Sequence, residues 1–473
     1  MRDFSVPLNR DRHMANTAAE WDGKRWINRT AIRDDQKAIF GAQWNKTSSP
    51  TLTRTDEAVG MVANAGVGFA TVVNDFDYAP IFGEFEEVMD TLGNVFVRIP
   101  KFYIRKLNGA TFLSWQVSKH RHPGFYLPWC FWDFTNNREL PFIDVGKYKG
   151  TSEVIAATTR LRSLPNVFPL INTTIVNMRT FATNNNVAPL AGYQQLDIHV
   201  IDLLQTLFYI EFATLNSQAI MSGFSTGQYN ATHTATVAET AVNRIIVANA
   251  HADLFRVGQT ISIGTSLGGN QIFYGRTITG IATFDASNRA ISFDGAPVSI
   301  AVGNIVYNTG WRNGFSLGGI AATSGSQVSN TDGRWAMTYR GIESLYGDMW
   351  QFVDGVNIDS NQAWVCRNAA QYASNVFAHP YERLGYVNSV ADGLVTAMGF
   401  DAFNPFVQLP VAAGGSATTF YSDSYWQGAG QRIALFGGDW SFGSALGVSY
   451  WNLDASSAGA SVGIGGRLLK KPL

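Results

Sequence analysis

Two groups of titratable side chains have types that could support chemistry. His120 and His122 stand close together in KHRH and could in principle ligate a metal ion. No carboxylate or cysteine cluster accompanies them, and basic neighbours repel a cation, so we interpret both as surface or interface histidines. Glu211 lies in an apolar stretch, where a carboxyl group could act as a general acid. A buried acid held by backbone donors explains Glu211 equally well, and no second carboxylate is placed to assist it.

The remaining acidic residues also lack a pattern that predicts chemistry. Asp348, Asp354 and Asp359 fall in and around DMWQFVDGVNID, but their spacing does not follow the ligand order of an EF-hand calcium loop. Asp354 and Gly355 instead predict a tight turn. No Ser/His/Asp set, phosphate-binding loop or dinucleotide fingerprint appears in a usable context. The sequence therefore predicts no catalytic residue, no metal site and no cofactor.

The stretch RIALFGGDWSFGSALGVSYWNLDASSAGASVGIGGRLL, residues 432–469, favours binding over catalysis. It is rich in glycine, yet it carries Trp440, Phe442, Tyr450 and Trp451, which a flexible low-complexity tail would lack. Glycine lets a backbone fold tightly, and rigid aromatic side chains supply contact area. This combination predicts a binding face on a tightly folded scaffold.

The composition indicates a large modular protein whose surface is partly covered by other molecules. Hydrophobic residues make up 46% of the 473 residues, aromatic residues 13% and charged residues 15%. Such a length predicts roughly two to four modules. A net charge of −1 without any block of like charges gives no electrostatic footprint for nucleic acid. Cys130 and Cys366 are too few for a disulfide framework and are interpreted as buried thiols.

Export signals and membrane spans are not predicted. The N-terminal MRDFSVPLNRDRHMANTAAEWDGKRW carries early charges without an apolar run behind them, so it does not predict a secretory signal. No stretch approaches the roughly 18 apolar residues of a membrane span, so no membrane insertion is expected. A protein of this kind that works outside a cell is expected to leave it by lysis.

Local changes in composition and residue pattern divide the chain into segments. Residues 1–60 are polar and irregular and predict an N-terminal attachment arm. Residues 61–150 predict a small β-rich module, in which the aromatic cluster FYLPWCFWDF is expected to lie partly in a subunit interface. Within residues 151–223, LDIHVIDLLQTLFYIEFATLNSQAIMSG predicts the clearest helix of the chain, with Gly223 at its exit.

The texture changes again at residues 224–310. Runs such as RIIVANA, QTISIG and QIFYGRTITGIATF predict strands that alternate with Gly, Asn and Asp turns. This pattern is typical of an all-β domain inserted into a loop of its host. Residues 311–473 are again rich in aromatic residues, and we expect them to form the second part of the host domain that the insertion interrupts.

These motifs resemble a known family. YRGIESLYGDMWQFVDGVNI, followed by ALFGGDW and a GGR near the C-terminus, resembles the C-type-lectin domain of phage tail-fibre tips, including tropism determinants that retroelements diversify. That domain is similar to the fold of formylglycine-generating enzymes. Segments such as TRTDEAVGM extend the resemblance over most of residues 52–223 and 311–469. It implies a C-type-lectin-like domain and does not cover the arm or the inserted segment. Together with the inserted all-β domain and the β-rich N-terminal region that the sequence pattern predicts, it leads us to expect an α+β protein.

The resemblance also implies which residues bind. Trp440 matches a scaffold position, and the glycines of the stretch are expected to be structural. The exposed, variable-type positions fall on Asp439, Ser441, Phe442, Ser444, Tyr450, Trp451, Asn452 and Asp454. Tyr, Trp, Ser and Asn are typical of binding faces. The alternative is that Tyr450 and Trp451 are core residues of a β-hairpin.

The expected function is receptor binding. The resemblance implies a virion protein at a tail-fibre or baseplate tip that recognises a bacterial surface glycan or protein and contacts other phage tail proteins through the arm. Trimeric tropism determinants and the advantage of multivalent binding predict a homotrimer. The protein would be made in the host cytoplasm and released by lysis.

Two alternatives to receptor binding stay open. The chain could be a structural virion protein whose lectin-like domain mediates assembly, or a glycan-active enzyme with paired carboxylates. Formylglycine generation is not expected, because it needs two closely placed cysteines near the C-terminal active site and no cysteine follows Cys366. We therefore expect a protein that is not an enzyme.

Overall fold

The computed structural model describes residues 19–21, 26–28, 38–328 and 331–473, and strands dominate it. Strand accounts for 38% of the chain and helix for 11%. The predicted α+β class is therefore wrong, and the protein is β-rich. That class rests on the resemblance to a C-type-lectin domain, whereas most apolar residues of the chain lie in short runs between Gly and Asn turns, which favour strands. The α-helices within the described ranges are α1 (Ile175–Thr183), α2 (Ile198–Phe212) and α3 (Asn249–Ala252).

Short antiparallel strands build the first part of the chain. They are β1 (Ala19–Trp21), β2 (Trp26–Asn28), β3 (Ile39–Trp44), β4 (Thr53–Asp56), β5 (Gly66–Val67), β6 (Glu86–Met89), β7 (Val95–Pro100), β8 (Tyr103–Asn108), β9 (Leu113–Ser118), β10 (Trp132–Asp133), β11 (Arg138–Glu139), β12 (Phe142–Gly146), β13 (Thr151–Ile155), β14 (Thr158–Arg162) and β15 (Tyr193–Gln195). A four-stranded sheet has the order β4-β3-β9-β8. Strand β3 buries Phe40, Ala42 and Trp44. The predicted arm of residues 1–60 is therefore too long, and most of its first 37 residues lie outside the described residues.

The aromatic cluster Phe125 to Phe134 packs within the chain. Phe125 and Phe131 are buried, and the ring centroid of Trp129 lies 5.9 Å from that of Phe406. This packing accounts for the cluster within one chain, so the cluster does not support the expected subunit interface, which stays a prediction. Large apolar rings remove the most area from water when they pack on one another, and residues from distant parts of the chain close over these.

Helix α2 forms the centre of the largest core. The side chain of Asp197 accepts a hydrogen bond from Val200 N at 3.0 Å and caps the helix. All of its side chains are buried, and it ends where Ala213 adopts a φ of +51°. The helix is thus shorter than predicted, and Gly223 lies well beyond its end. Because no face of α2 meets solvent, its polar side chains need partners inside the protein, and Asp202 pairs with Lys106.

Residues 239–308 form strands that belong to two small sheets. The strands are β16 (Glu239–Val242), β17 (Arg244–Ala248), β18 (Thr260–Ser266), β19 (Gly269–Thr283), β20 (Asn288–Phe293), β21 (Val298–Ile300) and β22 (Ile305–Asn308). The sheet orders are β17-β20-β19-β18-β22 and β16-β21. The predicted Val/Ile/Thr strands are confirmed. Their apolar residues form a core cluster of their own that includes Ile245, Ile263 and Phe293.

The two ends of this inserted segment lie side by side. The backbone N–H of Asn308 donates to the carbonyl oxygen of Gln228 at 2.7 Å. In return, the N–H of Gln228 donates to Asn308 Oδ1, also at 2.7 Å. Insertion into a host loop requires such closely spaced ends. The spacing therefore agrees with an inserted domain, which excision of the segment would test.

A nine-stranded sheet organises the last part of the chain. The strands after the insertion are β23 (Gly325–Ser326), β24 (Met337–Tyr339), β25 (Ile342–Glu343), β26 (Trp350–Asp359), β27 (Gln362–Val365), β28 (Glu382–Val387), β29 (Gly393–Met398), β30 (Pro410–Ala413), β31 (Ser424–Gln427), β32 (Gln431–Phe436), β33 (Trp451–Leu453), β34 (Ile464–Gly465) and β35 (Leu468–Lys470). The large sheet runs β28-β27-β26-β32-β33-β31-β29-β30, and β34 pairs with β26. Strand β35 instead joins the order β15-β35-β12-β7-β6. The C-terminus is thus fastened between strands from the first half of the chain.

Asp354 and Gly355 lie inside β26 and do not form the predicted turn. The pairing of β26 with β32 shifts register between Val353 and Asn357, and Gly355 has a φ of +77°. This is an irregular β-bulge, in which three extra residues of β26 are accommodated without ending the strand. Arg179 holds the buried Asp354 carboxylate through two hydrogen bonds of 2.7 Å.

Candidate binding surface

Two glycines fix the backbone at the end of β32. Gly437 and Gly438 have φ values of +89° and +77°, a left-handed conformation that favours glycine. A side chain at position 438 would also meet Tyr450 Cδ1 at 2.7 Å. The predicted structural role of these glycines is confirmed, and the strand residues before them, from Ile433 to Phe436, are buried. The chain is therefore rigidly directed into the residues that follow.

Tyr450 and Trp451 are core residues. Both side chains are 0% exposed, so their predicted exposure is wrong. The ring centroid of Tyr450 lies 4.6 Å from that of Trp350, and the ring of Trp451 lies 5.2 Å from that of Phe436. Their large apolar area stabilises the fold far more when it is buried than when it faces water. The alternative reading of the sequence, in which both aromatics belong to the core, describes them correctly.

The other six predicted binding residues lie at or near the surface. Ser441, Ser444 and Asp454 are exposed, whereas Asp439, Phe442 and Asn452 are half-buried. Asp454 N donates to Asn452 Oδ1 at 2.9 Å, and the Asp454 carboxylate faces Arg432 Nε at 3.4 Å. The scaffold role predicted for Trp440 agrees with its burial.

Two exposed aromatic residues beside the loop of residues 439–444 are not among the binding residues predicted from the sequence. Trp426 is 42% exposed and lies next to Asn452 on the neighbouring strand β31. Its indole Nε1 donates to the hydroxyl oxygen of the buried Tyr450 at 2.6 Å. Tyr229 is 40% exposed, and its ring centroid lies 6.2 Å from that of Trp440. A sequence signal existed for both, because each aromatic stands among polar residues, in SYWQG and QYNAT.

We call these neighbours the candidate surface. It consists of Tyr229, Trp426, Asp439, Ser441, Phe442, Ser444 and Asn452. The ring centroid of Phe442 lies 5.4 Å from that of the buried Tyr450. Gly227 N donates to the carbonyl of Trp440 at 2.6 Å, so the inserted segment is fastened to the loop. The surface therefore combines exposed aromatic rings with small hydroxyl and amide groups on a fixed backbone.

Asp439 supplies the only carboxylate of the candidate surface. Its Oδ1 accepts hydrogen bonds from Ser441 N at 2.9 Å and from Ser441 Oγ at 2.7 Å. Burial nevertheless raises the pKa of Asp439 to about 6, because those hydrogen bonds offset the lost hydration only in part. Burial, together with the Asp439 carboxylate, also raises the pKa of Tyr229. The Tyr229 hydroxyl therefore stays protonated and can donate a hydrogen bond to a ligand.

Buried charges beneath the loop hold backbone groups in place. Lys149 Nζ donates to the carbonyl of Met349 at 2.6 Å, and Asp348 Oδ1 accepts from Trp311 N at 2.6 Å. Burial lowers the pKa of Lys149 and raises that of Asp348. Arg467 donates to the carbonyls of Gly146 and Glu343, both at 2.7 Å. These side chains are inaccessible and act as supports of the fold.

The residues first considered for chemistry have structural partners. The Glu211 carboxylate is fully buried and forms a two-point ion pair with Arg340, at 2.9 and 2.7 Å. It also accepts from Asn74 Nδ2 at 2.8 Å. Side chains, and not the backbone donors we expected, therefore satisfy it. His122 Nε2 lies 3.1 Å from Ser118 Oγ, and its ring packs at a tilt of 60° against that of Phe125.

Metal ligands do not converge in the part of the chain that the structure describes. Among those residues, no group of three or more His, Cys, Asp or Glu side chains could hold a metal ion. Cys130 and Cys366 are both buried free thiols, as the sequence indicated. None of the helices in the described ranges has the length and apolar character that crossing a membrane requires.

Comparison with known proteins adds no identity. No family model matches the chain, and no curated protein matches it either.

Proposed function

We propose that this protein is a receptor-binding protein of a phage virion, located at a tail-fibre or baseplate tip. It would recognise a bacterial surface glycan or protein through the candidate surface. The observation that carries the proposal is that Trp426 and Tyr229 are exposed beside the polar residues Ser441, Ser444 and Asn452. Gly437 and Gly438 fix the backbone that leads into the loop of residues 439–444. The resemblance of the sequence motifs to phage tail-fibre proteins supports the virion setting.

The composition of the candidate surface suits recognition. Rigid aromatic side chains lose little conformational entropy on binding, and small polar groups adapt their hydrogen bonds to a partner. Trp426 is held by its hydrogen bond to Tyr450, so its ring is oriented before a ligand arrives. Truncation of such an aromatic anchor typically costs 2 kcal/mol or more, which is about 30-fold in affinity.

Cell binding tests the proposal directly. The purified, fluorescently labelled protein is incubated with a panel of bacterial isolates, and binding to the best-bound isolate is titrated for each variant. Ser444→Arg should abolish binding, because a long cation on the loop obstructs close approach. Trp426→Ala should weaken binding about 30-fold. Ser299→Arg, at an exposed serine of β21 in the inserted segment, is the matched control and should bind like the wild type.

The outcome also separates receptor binding from a purely structural role. If the wild type binds no isolate, or if Ser444→Arg binds as well as Ser299→Arg, the candidate surface does not recognise cells. An assembly role would then be favoured, in which another virion protein covers this surface. Melting temperatures of all variants establish that each is folded.

We further propose that the protein assembles as a homotrimer. An apolar strip, residues 59–78, exposes Val59, Val62, Val67, Phe69, Val73 and Tyr78. So many exposed apolar side chains in one short segment favour an interaction site, and we propose a second copy as its occupant. The strip, and not the cluster at Phe125, now supports the subunit interface. Three copies would also present three candidate surfaces and so strengthen weak contacts.

Light scattering tests the trimer. The wild type should have about three times the chain mass of 51.7 kDa. Phe69→Glu should dissociate it, because a charge on the strip must be desolvated at the interface. Phe403→Glu alters an even more exposed phenylalanine outside the strip and should leave the trimer intact. A wild type at 51.7 kDa would disprove the trimer. We also propose that the N-terminal arm contacts other tail proteins. Synthesis in the host cytoplasm and release by lysis are proposed with the virion setting.

A further inference from the structure

Asp439 presents one carboxylate oxygen without a partner at the candidate surface. Its Oδ1 accepts hydrogen bonds from Ser441 N and Ser441 Oγ, which use both lone pairs of that oxygen. Its Oδ2 has no hydrogen-bond partner among the described residues, and it is not one of the side-chain oxygens that the protein encloses completely. Gly463 leaves space beside it, since a Cβ atom at that position would lie 2.8 Å from Oδ2. Asp439 is half-buried, so this oxygen is open to a ligand.

The buried charges beneath the loop leave the Asp439 charge in surplus. Among the described residues, Lys149 is the cation whose charge acts on Asp439, and Asp348 acts on Lys149 more strongly than Asp439 does. Arg467 is a second buried cation, and Glu343 and Asp348 are the carboxylates that act on it. The two cations are thus matched by Asp348 and Glu343. Asp439 is the fifth charge of this group and the one that belongs to the candidate surface.

The groups around Oδ2 suit a ligand that donates hydrogen bonds and carries positive charge. Ser441 Oγ gives its hydrogen to Asp439, so its lone pairs are left to accept from a ligand. Phe442 lies in the same turn, because its N–H donates to the Asp439 carbonyl at 3.5 Å. The exposed Tyr229 is close enough for the Asp439 charge to raise its pKa. Aromatic rings attract cations as carboxylates do.

A primary ammonium group fits this arrangement better than a guanidinium group. A guanidinium typically binds a carboxylate through two parallel hydrogen bonds, one to each oxygen. In Asp439 only Oδ2 is free, because Ser441 occupies Oδ1. An ammonium is a compact charge with three donors, and it can bind a single carboxylate oxygen together with Ser441 Oγ.

An amino sugar presents an ammonium group on a rigid ring. A lysine side chain would have to give up the rotamer freedom of its four-carbon stem on binding, whereas the sugar ring has little such freedom to lose. We propose that the candidate surface recognises a glycan that carries a free amino sugar, whose ammonium group donates to Asp439 Oδ2. This inference rests on the proposed function of the candidate surface and names the ligand class.

Titration of the purified protein with matched probes tests the inference. The probes are the glucosamine disaccharide, the same disaccharide with both amines acetylated, and Nα-acetyl-lysine amide. The glucosamine disaccharide should bind with a dissociation constant in the millimolar range, as expected for so few contacts. Its acetylated form should bind about tenfold more weakly or not at all, because acetylation removes the charge. Acetyl-lysine amide should bind more weakly than the glucosamine disaccharide. Isothermal titration and ligand-observed NMR both report such binding without any cell or virion.

Two variants assign the binding to Asp439. Asp439→Asn keeps an oxygen that can accept from Ser441 N and removes the charge, so it should weaken binding of the glucosamine disaccharide about tenfold. Asp285→Asn is the matched control, because Asp285 Oδ1 likewise accepts from Ser287 N, on an exposed turn of the inserted segment. It should bind like the wild type. Melting temperatures establish that both variants are folded.

The pH profile adds a readout that a merely structural role of Asp439 would not give. Because its pKa is raised to about 6, Asp439 is mostly ionised at about pH 7 and mostly protonated at about pH 5, so wild-type affinity should fall about tenfold between them. Lys149, whose pKa burial lowers to about 7, gains charge over the same range and also weakens binding. Tyr229 and Tyr450, whose hydroxyls feel the Asp439 charge, stay protonated. Asp439→Asn should lose most of this pH dependence.

Four results would overturn the inference. The acetylated disaccharide could bind as tightly as the free amine, or Asp439→Asn could bind like Asp285→Asn. Tighter binding of acetyl-lysine amide than of the glucosamine disaccharide would show that the surface reads a protein. A wild type that binds cells but no glucosamine disaccharide at tens of millimolar would refute the ligand class and leave the proposed function intact. Saccharide binding that depends on Asp439, in a protein that binds no isolate, would support the ligand class while the proposed function fails.

Discussion

Removal of the Tyr450 side chain should destabilise the protein strongly. The ring is fully buried, with its centroid 4.6 Å from that of Trp350 and 5.4 Å from that of Phe442. Its hydroxyl accepts the hydrogen bond from Trp426 Nε1 at 2.6 Å. Tyr450→Ala therefore removes three kinds of contact at once: apolar burial, ring packing and a hydrogen bond.

The expected magnitudes differ between two substitutions. Truncation of a buried aromatic residue to alanine lowers the free energy of unfolding by about 3–5 kcal/mol, because a cavity is added to the lost transfer energy. Tyr450→Phe keeps the ring and loses only the hydroxyl, which leaves the Trp426 indole unpartnered, so about 1 kcal/mol should be lost. Phe403→Ala removes an exposed ring and should change stability by no more than about 0.5 kcal/mol.

Urea unfolding followed by tryptophan fluorescence and circular dichroism measures these differences. The midpoint should fall in the order wild type, Tyr450→Phe, Tyr450→Ala, with Phe403→Ala close to the wild type. If Tyr450→Ala instead unfolds like Phe403→Ala, the Tyr450 ring is not part of the core and our description of the scaffold is wrong. Loss of cell binding in Tyr450→Ala alone would say nothing about the receptor, because an unfolded protein binds nothing.

Three further predictions follow from the same geometry. Gly438→Ala should destabilise the protein, since the new methyl group meets Tyr450 at 2.7 Å in a left-handed backbone; a melting temperature equal to that of the wild type would contradict this. The raised pKa of Asp439, about 6, means that the folded state holds a proton that the unfolded state releases near pH 4, so wild-type stability should fall as pH rises from about 4 to 6. Asp439→Asn should remove that part of the pH dependence and melt higher at pH 7, whereas parallel wild-type and variant profiles would show that burial does not perturb the carboxyl. Replacement of residues 230–306 by a short Gly/Ser linker should leave a soluble host, because Gln228 and Asn308 are hydrogen-bonded to each other. Insoluble products with several linkers would show that the insertion supports the host core.

Local chemistry allowed several features to be predicted from the sequence. The Val/Ile/Thr runs of residues 244–308 form strands, because alternation and turn residues act over short distances. Gly437 and Gly438 have the backbone freedom that their position requires. The absence of like-charge blocks and of recognisable catalytic patterns is also a property of the sequence itself.

The fold class and the burial of individual aromatics depended on tertiary structure. The apolar pattern of the sequence indicates helix α2, but it does not reveal that strands make up 38% of the structure. The sequence SYWNL does not reveal that Tyr450 and Trp451 point into the core, because which face a strand turns inward depends on its neighbours β31 and β32.

The candidate surface shows the same limit. Trp426 and Tyr229 are separated by almost 200 positions and meet the 439–444 loop only after strand pairing and the docking of the inserted segment. The sequence by itself determined local conformation and the chemical types available for binding. The tertiary structure decided which of them face solvent, because burial is a property of contacts between residues far apart in the chain.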